Sequence, residues 1–416
     1  MNKKLAILLL PFILISCNGL GPKKVKNIVE LTPRLSAQTN ESIYLDSSKN
    51  PYLFNPNMLK NKEYSFTKYK TVTEPVFVNN IVYTLDIKSN ISAFSKEKNS
   101  IIWSYNISRN KEDNYIGGGI LYHDGKLYVT YGSRLLVVLD AKSGHELIRK
   151  ELPDIIRIKP ITINDDTILV QTISNQLVAL NTKTLNPVWQ HEGTVEVLSS
   201  SYQVAPIIYH DRVIVTYSSG QILAINTKKG EVLWSFELTD SEHAALPNFE
   251  EASILCAPIS DNNNLYIASG LGKVIKLNVA TGVVIWQTNA NDIQSMSLIG
   301  NSLFVTNNAR QVAALSLASG QVKFVADLND GKDIKKLKSA IFLAPSVSKD
   351  NTGMSLNVIS VNGVLYSFRS DKNGHLSIIP TITKITKNIR YYGIGFDNNI
   401  YFSTDKKIIF DTNKAI

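Results

Sequence analysis

Between Pro75 and its C-terminus the chain repeats one unit, and this repetition limits its fold more than any other feature. Stretches such as Ile207 to Trp234 read as strand, polar turn, strand, tight turn, strand, with short apolar alternation and no sustained helical period. The polar residue that closes the third strand of each unit serves as a marker: Ser95, Asp140, Asn181, Asn226, Asn278, Ser316, Arg369 and Asp411. Successive markers lie 45, 41, 45, 52, 38, 53 and 42 residues apart. The mean of about 45 falls in the range of propeller blades.

Other residues keep the same phase. The residue before each marker is apolar in all eight units: Phe94, Leu139, Leu180, Ile225, Leu277, Leu315, Phe368 and Phe410. Four places after the marker stands glycine in Gly144, Gly230, Gly282 and Gly320, where a positive φ costs little without a Cβ. Eight places after it come Trp103, Ile148, Trp189, Trp234, Trp286 and Phe324, which include all 4 tryptophans of the protein. Pro75, Pro160, Pro206, Pro258 and Pro345 each open the first strand of a unit, where the missing N–H breaks no ladder bond. Unrelated sandwiches stacked irregularly would not hold Trp, Gly and Pro in one phase.

Each unit has room for about four strands, and four-stranded sheets repeated radially form a β-propeller, which leaves only short, protected edges. The expected fold class is therefore all-β: an eight-bladed β-propeller of four-stranded antiparallel blades. This single ring replaces the two or three domains that 416 residues would suggest at roughly 150 residues per domain. Eight places beyond Asp411 lies past Ile416, so the last unit lacks its outermost strand. Glu63–Lys70, just ahead of Pro75, is the candidate to complete it and close the ring, leaving no sheet edge open between first and last blades.

The N-terminus carries a different signal. Lys3 and Lys4 precede the apolar run Leu5 to Ile15, which is too short to span a bilayer that needs about 20 helical residues. This is the pattern of a signal peptide, and Leu14-Ile15-Ser16-Cys17 resembles the bacterial lipobox. In that resemblance Cys17 is the lipidation site: its thiol takes a diacylglycerol and its freed amine a third acyl chain, which makes anchoring stable where one chain would be marginal. Asn18, where an Asp would commonly favour inner-membrane retention, allows the outer membrane as destination. The expected organisation is residues 1–16 as signal peptide, 17–58 as a lipidated tether containing Pro22, Pro33, Pro51 and Pro56, and 59–416 as propeller.

Charge and chemistry-bearing residues exclude more than they suggest. The net charge of +9 is spread thin, its densest clusters being Lys23 to Lys26 and Lys332 to Lys338, so nucleic acid is not an expected partner. Cys256 is the only other cysteine and reads as a small buried hydrophobe, so no disulfide framework is available. His123, His145, His191, His210, His243 and His375 never fall at i,i+4, and most lie in turns beside Asp or Gly. Asp261-Asn262-Asn263-Asn264 lacks the spaced acids of a calcium loop and reads as a hairpin turn. No catalytic residue, metal site or cofactor is expected.

Segments such as Val213 to Trp234 and Leu265 to Trp286 resemble the quinoprotein-type (PQQ-like) propeller repeat. With the lipobox, the tether, eight blades and this length, the chain resembles the family of the outer-membrane protein assembly factor BamB. Gly117-Gly118-Gly119 is similar to a glycine run at the start of that family's second blade. The resemblance implies a non-enzymatic lipoprotein scaffold on the periplasmic face of the outer membrane, within the β-barrel assembly (BAM) complex. Its implied partners are the periplasmic POTRA domains of the insertase, the other lipoproteins of the complex and, as a further expectation, nascent β-barrel proteins. The family's Leu-x-Leu-Arg motif before the Ala205-Pro206 blade falls on Leu198, Ser199, Ser200 and Ser201, so only its first Leu is kept. The family's Asp-x-Asp falls on Ser253 and Leu255, while the nearest acids are Glu250 and Glu251. Leu198, Ser200, Ser201, Glu250 and Glu251 are thus the candidate partner-binding residues. Two alternatives stay open: a propeller lipoprotein serving another envelope complex, because shape does not encode partner, and a PQQ-dependent dehydrogenase. The dehydrogenases typically add an adjacent Cys-Cys pair, and here Cys17 and Cys256 are 239 positions apart.

Overall fold

The computed structural model describes Val29, the strap 32–46 and, with interruptions at 109–116, 194–203, 218–219, 239–255, 330–339, 395–399 and a few single or paired positions, residues 61–411. Eight sheets of four antiparallel strands form an eight-bladed propeller, as the repeat requires. Blades 1 to 7 take their strands in chain order across 76–106, 119–151, 161–192, 207–237, 259–289, 293–327 and 346–384. Blade 8 combines Tyr391–Ile394, Ile400–Ser403 and Lys407–Asp411 with an outer strand from the other end of the chain, Asn61–Ser65.

That outer strand closes the ring, with Asn61 opposite Asp411 and Ser65 opposite Lys407. It begins two residues before the expected Glu63 and ends well before Lys70. The reason is Phe66, which turns into the core and packs edge-on against Phe94 of blade 1 at 4.5 Å between ring centroids. The backbone then crosses from blade 8, where Thr71 N donates to Asp405 O at 2.7 Å, to blade 1, where Val72 N donates to Leu85 O at 3.1 Å.

All eight markers end a third strand. In blades 2 to 5 the polarity of the marker has a local cause: the side-chain oxygen caps the turn that follows. Asn226 Oδ1 accepts from the N–H groups of Lys228 and Lys229 at 2.9 and 3.0 Å, and Asp140, Asn181 and Asn278 do the same in their own turns. The apolar residues before the markers, Phe94 through Phe368, are buried between sheets. Pro75, Pro160, Pro206, Pro258 and Pro345 sit one residue ahead of an innermost strand, so no N–H is missing from a ladder.

The tryptophans and glycines turn out to be two halves of one joint. Trp103 Nε1 donates to Ala141 O of the next blade at 3.2 Å, and Trp189, Trp234 and Trp286 reach Thr227, Val279 and Leu317 at 2.8–3.1 Å. Each ring then lies on the glycine of that next blade's turn. A Cβ built on Gly144, Gly230, Gly282 or Gly320 would stand 2.5–2.7 Å from the indole of the preceding blade. These glycines have φ of 73–76°, so their identity is fixed twice, by conformation and by contact.

The topology gives the ring two unlike faces. Turns between first and second strands, and between third and fourth, lie on one face and are short except in blade 7, where residues 370–380 join the third strand to the fourth. Turns between second and third strands, and all connections between blades, start and end on the other face, among them the longest segments, 193–206, 238–258 and 328–345.

The strap is the unexpected element. Thr32–Asp46, inside the segment expected as a tether, runs in extended form from the loop-bearing face across the outside of blade 6 to the short-turn face. Thr32 Oγ1 donates to Asp292 Oδ2 at 2.6 Å, Arg34 pairs with Asp327, and Leu35 N donates to Gln311 Oε1 at 2.9 Å. Gln38 N then donates to Val322 O at 2.7 Å, and Val322 N donates to Gln38 Oε1 at 3.1 Å. Leu35 packs on the core between blades 5 and 6, and Ile43 is buried in the core between blades 6 and 7.

Candidate functional site

Leu198, Ser200, Ser201, Glu250 and Glu251, expected to carry the partner contacts, lie outside the described residues, as does Cys17. The structure does describe the ground from which both contact segments rise. The first segment leaves blade 3 after Gly193 and is described again from Val204; the second leaves blade 4 after Leu238 and is described again from Cys256. Val204 and Leu238 are buried in one apolar cluster between blades 4 and 5, with Ile214, Ile222, Leu265 and Leu277. Both connections are therefore rooted in the same rigid sector of the loop-bearing face. Gly193 allows the first to leave close to the sheet, since a Cβ there would meet the Tyr217 ring at 2.7 Å.

On the same face, towards the ring axis, Ala205 lines a cavity of about 190 Å³ together with residues of blades 1, 2, 3 and 8. One wall is the glycine run. Gly118 N donates to Arg157 O at 2.6 Å, Gly118 pairs with Ile158 in a parallel bridge, and Thr130 Oγ1 donates to Ile158 O at 2.8 Å. A Cβ on Gly117 would stand 3.1 Å from Arg157 O, and one on Gly118 would collide with the Thr130 carbonyl. Gly117 and Gly119 are required because the lead-in to blade 3 lies directly on them, and Gly118 because the second strand of its own blade does. The run joins two blades and holds this wall of the cavity in shape.

The rim of this cavity is charged. Glu74 Oε2 lies 3.6 Å from Lys159 Nζ, and Glu74 Oε1 accepts from Tyr401 Oη at 3.4 Å. Burial, and then the Glu74 charge, raise the pKa of Tyr391 beside it. On the adjoining turn of blade 8, partial burial would raise the Asp405 carboxyl, but Arg390 at 2.9 Å and Lys70 at 3.4 Å hold it below the usual range. The charged residues that line the cavity itself are Glu74, Arg157 and Lys159, so both signs of charge meet at its mouth.

The groups that could do chemistry are placed elsewhere. Cys256 is buried among Tyr266, Trp286 and Val305, and burial pushes its thiol up to about 12. His123 Nε2 lies 2.7 Å from Asp165 O in the turns of blades 2 and 3, His210 sits in a turn at φ 52°, and His375 faces Asp371 at 3.5 Å. Among the described residues no three His, Cys, Asp or Glu side chains come together as a metal site would require. Asp261 forms the expected hairpin turn, its Oδ1 accepting from Asn263 N and Asn264 N at 3.0 and 2.9 Å.

An eight-bladed ring with PQQ-like repeats, closed by its own N-terminal strand, can be set against known proteins. The family model of the outer membrane protein assembly factor BamB matches residues 71–325. The chain belongs to that family. Among solved structures, BamB from Moraxella catarrhalis superposes with a TM-score of 0.65 at 17% identity, over 84% of this chain and 99% of that one. Sqt1 from Saccharomyces cerevisiae gives 0.59 at 9% identity, over 85% and 98%. Likeness at such identity shows the propeller fold. Two uncharacterized proteins, from Rickettsia conorii and Rickettsia prowazekii, are 71% and 66% identical over 99% of both chains. In this BamB-family propeller, the loop-bearing sector around blades 3 to 5 is the candidate partner-binding face.

Proposed function

We propose that this protein is a non-enzymatic scaffold of the outer-membrane β-barrel assembly machinery. In this reading it is lipid-anchored through Cys17, faces the periplasm, and binds the POTRA domains of the barrel insertase. Other lipoproteins of the complex adjoin it, and nascent barrel proteins pass within its reach. The supporting observation is the common rooting of the 194–203 and 239–255 segments in one core cluster of a BamB-family ring. A rigid ring can present two contact loops at a fixed separation, so a partner docks without first ordering them relative to each other. Among the described residues, Cys256 is buried and His123, His210 and His375 are held in turns, an arrangement that favours a scaffold over a dehydrogenase.

The test is affinity capture of the full-length protein from detergent-solubilised envelopes. We expect recovery of the barrel insertase, reduced at least tenfold by Leu198→Glu or Glu250→Lys with the melting temperature unchanged. Reproducible recovery of another envelope complex in its place would overturn the reading.

A further inference from the structure

The outer strands of blades 1 to 5 share a feature that neither ring closure nor the partner loops explain. Seven places after the marker stand Ile102, Leu147, Val188, Leu233 and Ile285, each apolar and each 42–51% exposed. The same place in blade 6 is Lys323, only 6% exposed, and it lies under the strap. Lys323 Nζ is 3.2 Å from Glu41 Oε1 and 3.5 Å from Ser42 O, both on the strap, and 3.3 Å from Asn301 O. One place earlier, the outward C=O of Val322 accepts from Gln38 N, and its N–H donates to Gln38 Oε1. Blade 6 thus shows what covers this edge when it is covered: an extended polypeptide that takes up the outward backbone groups of the residue six places after the marker.

The repeat carries this register to the other blades, because Val232 and Val284 pair with Ile225 and Leu277 as Val322 pairs with Leu315. Not every edge could accept such a segment. In blade 2 the residue is Glu146, held by Arg149 at 2.6 Å and by Tyr105 at 2.8 Å. In blade 3 it is Pro187, which has no N–H to give. Charge and proline are the usual means of closing a strand edge to pairing. In blades 1, 4 and 5 it is Ile101, Val232 and Val284, all β-branched and 39–46% exposed. Blade 5 presents the longest such run, Val283, Val284 and Ile285.

We propose that the outer edge of blade 5, at Val284 and Ile285, binds an extended segment of a partner polypeptide through the backbone groups that blade 6 offers to the chain's own strap; unlike the strap, this segment carries alternating apolar side chains, because Ile285 stands where blade 6 has Lys323. The segment adds backbone hydrogen bonds at Val284 and sets an apolar side chain against Ile285. This does not depend on the insertase reading, since the site lies on the outer circumference and not on the partner loops.

The test places a benzophenone amino acid at Ile285 of the full-length chain, and in separate samples at Leu147 and Val188. These three positions share phase and exposure and differ in whether the edge beside them is open. The probe is a soluble 12-residue peptide of alternating valine and threonine with lysine at both ends, compared with a permuted peptide of the same composition. We expect photo-crosslinking of the alternating peptide at Ile285 to exceed that at Leu147 and Val188 at least tenfold. Val284→Pro, which copies blade 3 and so is compatible with the ring, should abolish the excess without lowering the melting temperature. Equal yields at the three positions, equal capture of the permuted peptide, or an excess that survives Val284→Pro would each overturn the proposal. So would crosslinking at Ile285 to phosphatidylglycerol vesicles with none to the peptide, which would make this edge a lipid contact.

Discussion

At the level of single residues, the repeat encodes contacts between blades as well as strands within them. Blade 2 carries Ile148 where four others carry Trp, and the turn of blade 3 that would receive its ring has Leu185 in place of Gly, at φ 55°. Leu185 is buried against Ile148 and fills the volume an indole takes elsewhere. Two departures from the pattern thus compensate each other. Leu185→Gly should cost about 2–5 kcal/mol through the cavity it leaves. Ile148→Trp alone should also destabilise, by overpacking against Leu185. The double variant should recover at least half the combined loss, read as a coupling energy from denaturant midpoints of the four proteins. Gly282→Ala, whose new methyl would press on Trp234 at 2.7 Å from a left-handed backbone, should cost about 1–3 kcal/mol in the same measurement. Here the sequence was legible because each joint needs one particular pair of residues. The Trp and Gly phases are visible separately in the sequence, but their meeting across the blade boundary follows from how consecutive blades stack.

At the level of elements, the closing strand and the strap differ in how they could be read. Asn61–Ser65 was legible within a few residues because the eighth unit lacked a strand and something had to supply it. The strap had no such accounting: residues 32–46 show no alternation, and they bind through backbone groups, Gln38 and two apolar anchors. The one available signal was Lys323, a lone charge at a position apolar in the five preceding blades. A buried lysine with one acidic partner also fixes the register of the strap. Desolvation lowers the Lys323 pKa against the pull of Glu41; desolvation would raise Glu41, but bonds from Ser316 and Lys323 bring it below its ordinary 4.5. A depressed carboxylate contributes fully above its ordinary value and is lost as pH falls through its folded value. Glu41→Gln should therefore speed amide exchange over Gln38–Tyr44 near neutral pH, and the two proteins should converge at pH values below the folded pKa of Glu41. A difference that persisted there would mean that Glu41 acts through packing alone. Deleting 59–70 should lower the melting temperature sharply, because it removes the fourth strand of blade 8 and the Phe66 contact with Phe94.

For the molecule as a whole, repetition fixed the ring and left the partner surface unspecified. The blades must match one another, so their signals recur and reinforce; the connecting segments 194–203 and 239–255 match nothing inside the chain. Leu198, Ser200, Ser201, Glu250 and Glu251 could be reached only through resemblance, and the structure adds their common foundation rather than their geometry. The glycine run at 117–119, noted only as a likeness, is explained by the carbonyls of Thr130 and Arg157 that press on it.

The strap also changes how the ring would bear a load. A pull on the N-terminus reaches Thr32, Arg34 and Gln38 before it reaches Asn61–Ser65, so blade 6 takes the strain first. The closing strand, which would otherwise be peeled from Asp411 one bond at a time, is shielded from tension by a clamp more than 20 residues upstream of its end at Ser65.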